Sequence, residues 1–416
     1  MNNLIKKHPI FLILITGLFF RILAAIYFGD TELQNEWAVL FHNYKISGVY
    51  GFNVVLGDFF AMPKFADSND AVLPSAFMPP LYFFFIYLVD KISFDFFNTV
   101  KLLVIIQIAL NLTSIIILFK ILVKFVNKFT SNIICLIFSL FPLNIYGSVQ
   151  VSSITLQMFL IIVFLFFLLE LSRNQNFINI FLFSFFSGLL ILIRGEFFLF
   201  YFFSLIYFSL LNMKNIKILL LTVILTSIVI SPYVARNFIN FDSLVLTKSL
   251  GYNLLKGNNP SLKVEGSPEF IEKKYNRKDL TIKTDNKYEI NLDNFYKKRA
   301  IEYLKEDPLK YINFYFLKVF SFIFIDVKSS YPNYYHPLHI VPKLLISLIS
   351  IIGAVSLIKK KGFFQFLSIF YLLNILLFSL FFILPRYSLI LLPVKLLLSS
   401  VLIERSIERL RRKRVN

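Results

Sequence analysis

Time after time this chain runs for about twenty residues with scarcely a charge, the length at which an α-helix crosses the hydrocarbon core of a bilayer. The candidate spans fall at roughly 9–28, 77–92, 98–122, 131–148, 152–170, 177–193, 197–211, 216–234, 340–358, 364–384 and 388–403, with 309–325 as a further apolar stretch. Of 416 residues, 57% are hydrophobic and only 16% charged. A soluble domain carries about 25% charged residues, and a water-soluble fold of this length needs a polar shell that this chain cannot supply. The expected fold class is all-α and polytopic, one membrane domain over 1–416.

The net charge of +19 would suit a nucleic-acid binder if it formed a stripe. It does not. Lys120, Lys124 and Lys128, then Lys214 and Lys217, then Lys359, Lys360 and Lys361, and the tail with Arg405, Arg409, Arg411, Arg412, Lys413 and Arg414, all sit beside apolar runs. That is the pattern of cytoplasmic anchors. The expected partner is the lipid bilayer, with no nucleic acid. The single cysteine, Cys135, excludes an intramolecular disulfide and a CxxC metal site.

Lys6 and Lys7 precede an apolar run that is longer than a signal-peptide core and lacks a clear cleavage site. It reads as an uncleaved first span (9–28) with its N-terminus inside. Arg21 interrupts this run near its outer end and reads first as snorkelling to the interface. Two polar regions then stand out: a first loop at 29–76, and a longer region at 236–337 whose most hydrophilic part is 236–308. Central spans occupy 77–235, C-terminal spans 338–403, and a basic cytoplasmic tail 404–416. Charge bias puts both polar loops on the extracytoplasmic side. That parity requires one apolar segment before the second loop not to cross. The segment 77–92, short and opening on Pro79-Pro80, is the choice, and 309–325 is expected to lie along the outer face. Both loops carry amphipathic periodicity, at 31–47 and at 288–306, so each should hold an interfacial helix. GYNLLKGNNP (251–260) reads as a shaped turn.

Acids are scarce, so their placement informs. Asp30, Glu32 and Glu36 lie just beyond the first span. A carboxylate there can act as a general base on an acceptor, or Asp30 can cap the helix while the glutamates stay solvated. Arginines mark other segment ends: Arg194 with Glu196, Arg236-Asn237 and Arg386-Tyr387. The guanidinium fork suits phosphate; snorkelling is the alternative for each. His336 and His339 lack a third ligand and read as part of an aromatic belt with Tyr331, Tyr334 and Tyr335. No Walker A, GxGxxG after a strand, GxSxG or HExxH is present. An enzyme of this kind must receive a substrate that is already activated.

In chain order, Asp30 to Trp37, MPPLYFFFIYL (78–88), LIRGEFFLF (192–200), SPYVARNF (231–238), GYNLLKGNNP (251–260), AIEYLKEDPLKY (300–311) and PRYSLILLPV (385–394) resemble the GT-C membrane glycosyltransferases. The resemblance is to the family 39-like branch of protein O-mannosyltransferases and the lipid A aminoarabinose transferase. It implies a bundle of about 11–12 transmembrane helices with two extracytoplasmic loops. It also implies sugar transfer from a polyprenyl-phosphate donor to a lipid, glycan or protein acceptor, by a single inverting displacement. A first-loop acid is the base, with Asp30 first, Glu36 second and Glu32 third. The usual Asp-Glu pair followed by Tyr is here Asp30-Thr31-Glu32, with Glu36-Trp37 further on. Arg194, Glu196, Arg236, Asn237, Tyr252, Asn253, Lys256, Asn258, Asn259, Arg386 and Tyr387 would bind substrate. No metal ligand is assigned, and a divalent cation stays open as the cofactor question. The implied location is the bacterial inner membrane, with the site outside. The competing readings are a lipid-linked sugar flippase or transporter, which wants buried charges in mid-span, and an O-antigen ligase or polymerase.

Overall fold

The computed structural model describes residues 9–28, 76–93, 96–211, 216–275, 280–283, 285 and 287–415. Its regular structure is helical throughout the described residues. The acids Asp30, Glu32 and Glu36, and the helix expected at 31–47, lie outside them.

In chain order come α1 (Pro9–Phe28), α2 (Leu81–Ser93), α3 (Phe96–Leu122), α4 (Lys128–Leu140) and α5 (Pro142–Ser148). Then follow α6 (Ile154–Arg173), α7 (Phe177–Ile193), α8 (Phe197–Leu211) and α9 (Ile216–Phe241). The second polar region holds α10 (Leu250–Gly257), α11 (Pro268–Lys274) and α12 (Tyr288–Glu306). Last come α13 (Pro308–Ile323), α14 (Pro337–Leu357), α15 (Phe363–Phe378), α16 (Pro385–Leu389) and α17 (Leu392–Val415).

Among the described residues, five helices are long and apolar enough to cross a membrane: α1, α3 from Thr99, α6, α9 and α14. A bent pair, α4 and α5, makes a sixth if it counts as one span, and α7, α8 and α15 are shorter apolar helices. The apolar runs outnumber the helices of full spanning length because several runs break. The run 131–148 bends by 56° where Phe141 takes extended angles ahead of Pro142, as a residue before proline prefers. The last run divides into α16 and α17. The 13 residues of α2, starting after Pro79-Pro80, make a helix of about 20 Å.

Polar residues inside these helices turn inward. Arg21 does not snorkel. It is fully buried, and its guanidinium donates to the carbonyls of Gly17 (2.8 Å) and Ser139 (3.0 Å) and to Asn111 Oδ1 (2.6 Å). Asn111 Nδ2 in turn donates to Asn144 Oδ1 at 2.7 Å. The network ties α1 to α3, α4 and α5, and a Cβ at Gly17 would crowd the guanidinium at 3.2 Å. Lys343 and Lys395 are buried too. Lys395 Nζ donates to the hydroxyls of Ser388 (2.6 Å) and Ser347 (3.2 Å).

In the second polar region α12 coincides with the expected amphipathic helix at 288–306. Its buried face, including Ile290, Leu292, Tyr296 and Ala300, packs on α10. Contact is so close that a Cβ at Gly251 would lie 2.8 Å from the Lys297 nitrogen. Asp307 ends α12 and caps α13, accepting from the Lys310 amide at 3.1 Å. Two expectations are revised. The segment 251–260 is mostly helix (α10), and the turn is confined to its end. The loop expected to open at Arg236-Asn237 begins later, because α9 runs through Pro232 to Phe241 and stops at Asp242, whose φ is +53°.

Candidate active site

Two adjoining cavities share a wall just after α7: the first is lined from α6, α10 and α16, the second from α8, α10, α12, α15 and α16. One, of about 220 Å³, is lined by Gln157, Arg194, Glu196, Tyr252, Lys256 and Arg386, with Ser152, Ser153, Asn253 and Tyr387 among the rest. The other, of about 680 Å³, is walled by apolar side chains such as Phe198, Leu199, Leu250, Leu377 and Phe381, with Asp293 and Lys297 also in its wall. Arg194, Gly195, Glu196, Asn253, Phe382 and Tyr387 line both.

Arg194 is held on this shared wall by chain geometry and by aromatic faces. It is the C-cap of α7, in extended backbone, with its amide donating to the Leu190 carbonyl. Its guanidinium carbon lies 4.6 Å from the ring centroid of Phe378 and 4.7 Å from that of Tyr387. The two rings are 5.5 Å apart. The two rings pack side by side against one side of the guanidinium, which their faces attract. Arg194 Nε also pairs with Glu196 Oε1, and the carboxylate side is 38% exposed against 16% for the arginine. The carboxylate is therefore the freer partner. Gln157 Oε1 stands 3.5 Å from Nη1. Across the polar cavity, Lys256 Nζ lies 4.2 Å above the Phe382 ring.

Asp293 on α12 anchors the start of α10, accepting from the Tyr252 amide at 3.1 Å. Burial pushes its carboxyl above the ordinary value, opposed by the backbone N–H groups of Tyr252 and Gly251. The Tyr252 ring meets Phe77 and Tyr296 edge-on, at 5.9 and 5.7 Å.

Of the residues singled out in the sequence, the fold gathers Arg194, Glu196, Tyr252, Asn253, Lys256, Arg386 and Tyr387 around the polar cavity. Arg236, Asn237, Asn258 and Asn259 line neither cavity. Arg236 Nη1 donates to Asn237 Oδ1 at 2.7 Å, and Asn237 Nδ2 to the Val245 carbonyl at 2.8 Å. Asn258 and Asn259 donate back to carbonyls of α10. Sequence reasoning missed Gln157, Phe378, Phe382 and Asp293. Gln157 carried a usable signal, as a polar side chain inside an apolar run. The others need the fold. His336 caps α14 by accepting from the Leu338 amide at 3.3 Å, and His339 packs edge-on against Tyr334 at 4.9 Å. Among the described residues no group of three or more His, Cys, Asp or Glu could hold a metal ion.

No family model and no curated protein matches the chain. Solved structures do. The apo oligosaccharyltransferase of Archaeoglobus fulgidus matches with a TM-score of 0.56 at 12% identity, over 99% of this chain and 52% of that one. The same organism's oligosaccharyltransferase AglB, in complex with an inhibitory peptide and a dolichol-phosphate, gives 0.52 at 12% identity, over 99% and 52%. Its form tethered to an acceptor peptide with the NVT sequon gives 0.55 at 12%, over 99% and 51%. The chain thus spans about half the length of these neighbours. At such identity the likeness is one of fold, and the fold of this polytopic membrane protein is GT-C-like.

Proposed function

We propose that this protein is a glycosyltransferase that moves a sugar from a polyprenyl-phosphate donor to an acceptor at the extracytoplasmic face of a bacterial inner membrane. The observation that carries the reading is Arg194, held against two adjacent rings on the wall shared by a polar and an apolar compartment. A lipid-linked sugar phosphate has that same division. Its phosphate would sit at Arg194, its prenyl chain in the larger cavity and its sugar among Gln157, Asn253 and Lys256. AglB, a structural neighbour, has been captured with a dolichol-phosphate, which supports a ligand of this class.

Chemically, the bond to be broken joins the anomeric carbon to a phosphate oxygen. Negative charge develops on the departing lipid phosphate, and preorganised cations facing it lower the barrier. Arg194, Arg386 and Lys256 supply such cations in one cavity, with Glu196 as the opposing charge. The acceptor's proton goes to a first-loop carboxylate, Asp30 first and then Glu36 or Glu32. A single displacement inverts the anomeric centre. Arg194 and Glu196 belong to the segment that resembles the family 39-like enzymes, and the acceptor is a lipid, a glycan or a protein.

The test is transfer from a radiolabelled polyprenyl-phosphate sugar into a membrane acceptor pool, with the wild type beside Asp30→Asn and Arg194→Ala. Transfer by the wild type and its loss in both inserted variants is expected. Transfer that survives in Asp30→Asn moves the base to Glu36 or Glu32. No transfer by folded wild type with any of several donors overturns the reading. A flippase draws some support from the buried Lys343 and Lys395, but the cavity they share measures about 10 Å³, room for about one water.

A further inference from the structure

Lys318 lies on α13, lines neither cavity, and is fully buried. An ammonium in that position is costly unless its protons are matched by acceptors. It has three N–H donors, and three acceptors meet them: the Gly257 carbonyl at 3.2 Å, Asn258 Oδ1 at 2.8 Å and the Phe381 carbonyl at 2.8 Å. None is a carboxylate. Gly257 is the last residue of α10. Phe381 belongs to the turn that leaves α15, its amide donating to the Phe378 carbonyl at 3.1 Å. Carbonyl-rich helix ends carry partial negative charge, so Lys318 stands where the C-terminal ends of two helices converge.

The neighbours of these acceptors form the site. Lys256 precedes Gly257, Phe382 follows Phe381, and both line the polar cavity. Asn258 adds a second strut, its Nδ2 donating to the Leu380 carbonyl at 2.7 Å. The contact between the two segments leaves no room for a side chain, since a Cβ at Gly257 would lie 2.6 Å from the Phe382 nitrogen.

We propose that Lys318 is a positioning residue for the phosphate-binding cavity. Its ammonium locks the end of α10 to the 379–384 turn and so sets where Lys256 and Phe382 face each other beside Arg194. The proposal rests on the donor-phosphate reading above. Lys318 acts through backbone carbonyls and one amide and does not itself touch the donor.

The test uses the full chain in lipid nanodiscs, radiolabelled farnesyl phosphate as probe, and farnesol as the control without phosphate. Lys318→Met is expected to weaken farnesyl phosphate binding at least tenfold, with farnesol uptake unchanged. Amide hydrogen exchange should rise in 251–267 and 379–384 and stay constant in α1 to α5. Lys318→Arg, which keeps the charge and several donors, should recover most of the affinity. If Lys318→Met fails to fold, Asn258→Ala takes its place, with a several-fold loss and the same two exchange segments expected. Wild-type affinity and exchange in the variant would overturn the proposal. So would a uniform rise in exchange with no recovery by arginine. If the wild type itself ignores farnesyl phosphate, the donor reading falls, and the exchange comparison alone then decides whether Lys318 braces the two segments.

Discussion

Arg21 and Arg194 look alike in the sequence, each a lone guanidinium at or near the end of an apolar run, yet the fold uses them oppositely. Around Arg21 four helices close, and both terminal nitrogens donate to carbonyl and amide oxygens, with Nε enclosed and unpartnered. Arg194 instead lines two cavities, with the rings of Phe378 and Tyr387 on one side and Glu196 and Gln157 as its polar neighbours. A cation enclosed among neutral oxygens serves architecture. One on a cavity wall, paired with a half-exposed carboxylate, can turn donors to a ligand. The residue type is the same in both regions; enclosure by the surrounding helices makes the difference.

That contrast can be broken by experiment. The largest expected effect is on Arg194→Ala, with transfer reduced by about a hundredfold or more, the loss typical of removing one preorganised donor, while the unfolding temperature in detergent barely moves. Arg21→Leu should do the reverse. It strips a donor from Asn111, whose Oδ1 keeps Asn144 Nδ2 at 3.3 Å, and from two carbonyls, at a cost of about 1–3 kcal/mol in all, and thermal unfolding measures it. Prenyl-phosphate binding per folded molecule should be unchanged; a lost affinity would erase the distinction. Gly257→Ala sharpens the comparison at the cavity's edge. Overpacking against 381–382 should destabilise by about 1–3 kcal/mol and weaken binding together with stability.

Smaller effects follow from the aromatic clamp. Tyr387→Leu removes one of the two rings against Arg194, worth about 0.5–2 kcal/mol, so the donor KM should rise several-fold. The smallest concerns Asp293. Its folded-state pKa is raised above the ordinary 3.8 by burial, so the folded state holds the proton more tightly than the unfolded chain does. Its contribution to stability is fullest below 3.8 and declines as pH climbs through the raised value. Asp293→Asn should flatten that decline in a pH series of unfolding temperatures, with little change at acid pH.

Much of the helical architecture is readable from the apolar runs, and α12 from its amphipathic repeat, because both signals are local. Breaks within runs are harder. Pro142 announces the bend in 131–148, and Pro393, in the first turn of α17, the split before Leu392, although each lies inside a run that still reads as apolar. In the cavity, Arg194, Glu196, Arg386 and Tyr387 are conspicuous as polar residues at span ends. Arg236 and Asn237 show the same mark, yet α9 continues past them and their side chains are spent on each other and on the Val245 carbonyl. Phe378 and Phe382 are invisible beforehand among the chain's 52 phenylalanines. Only the approach of α15 to Arg194 distinguishes them.

The Arg21 network also bears on biogenesis. Asn111 is made 90 residues after Arg21 and Ser139 118 residues after it. At about 5–20 residues per second, the guanidinium waits between about 5 and 24 seconds for partners that the ribosome has not yet delivered. The first span therefore enters the bilayer as a helix with a charge it cannot satisfy on its own, apart from the Gly17 carbonyl one turn back. Until α3 and α4 arrive it must stay near water, at the interface or beside the insertion machinery. Seating of α1 therefore lags its own synthesis and waits on that of α3 and α4.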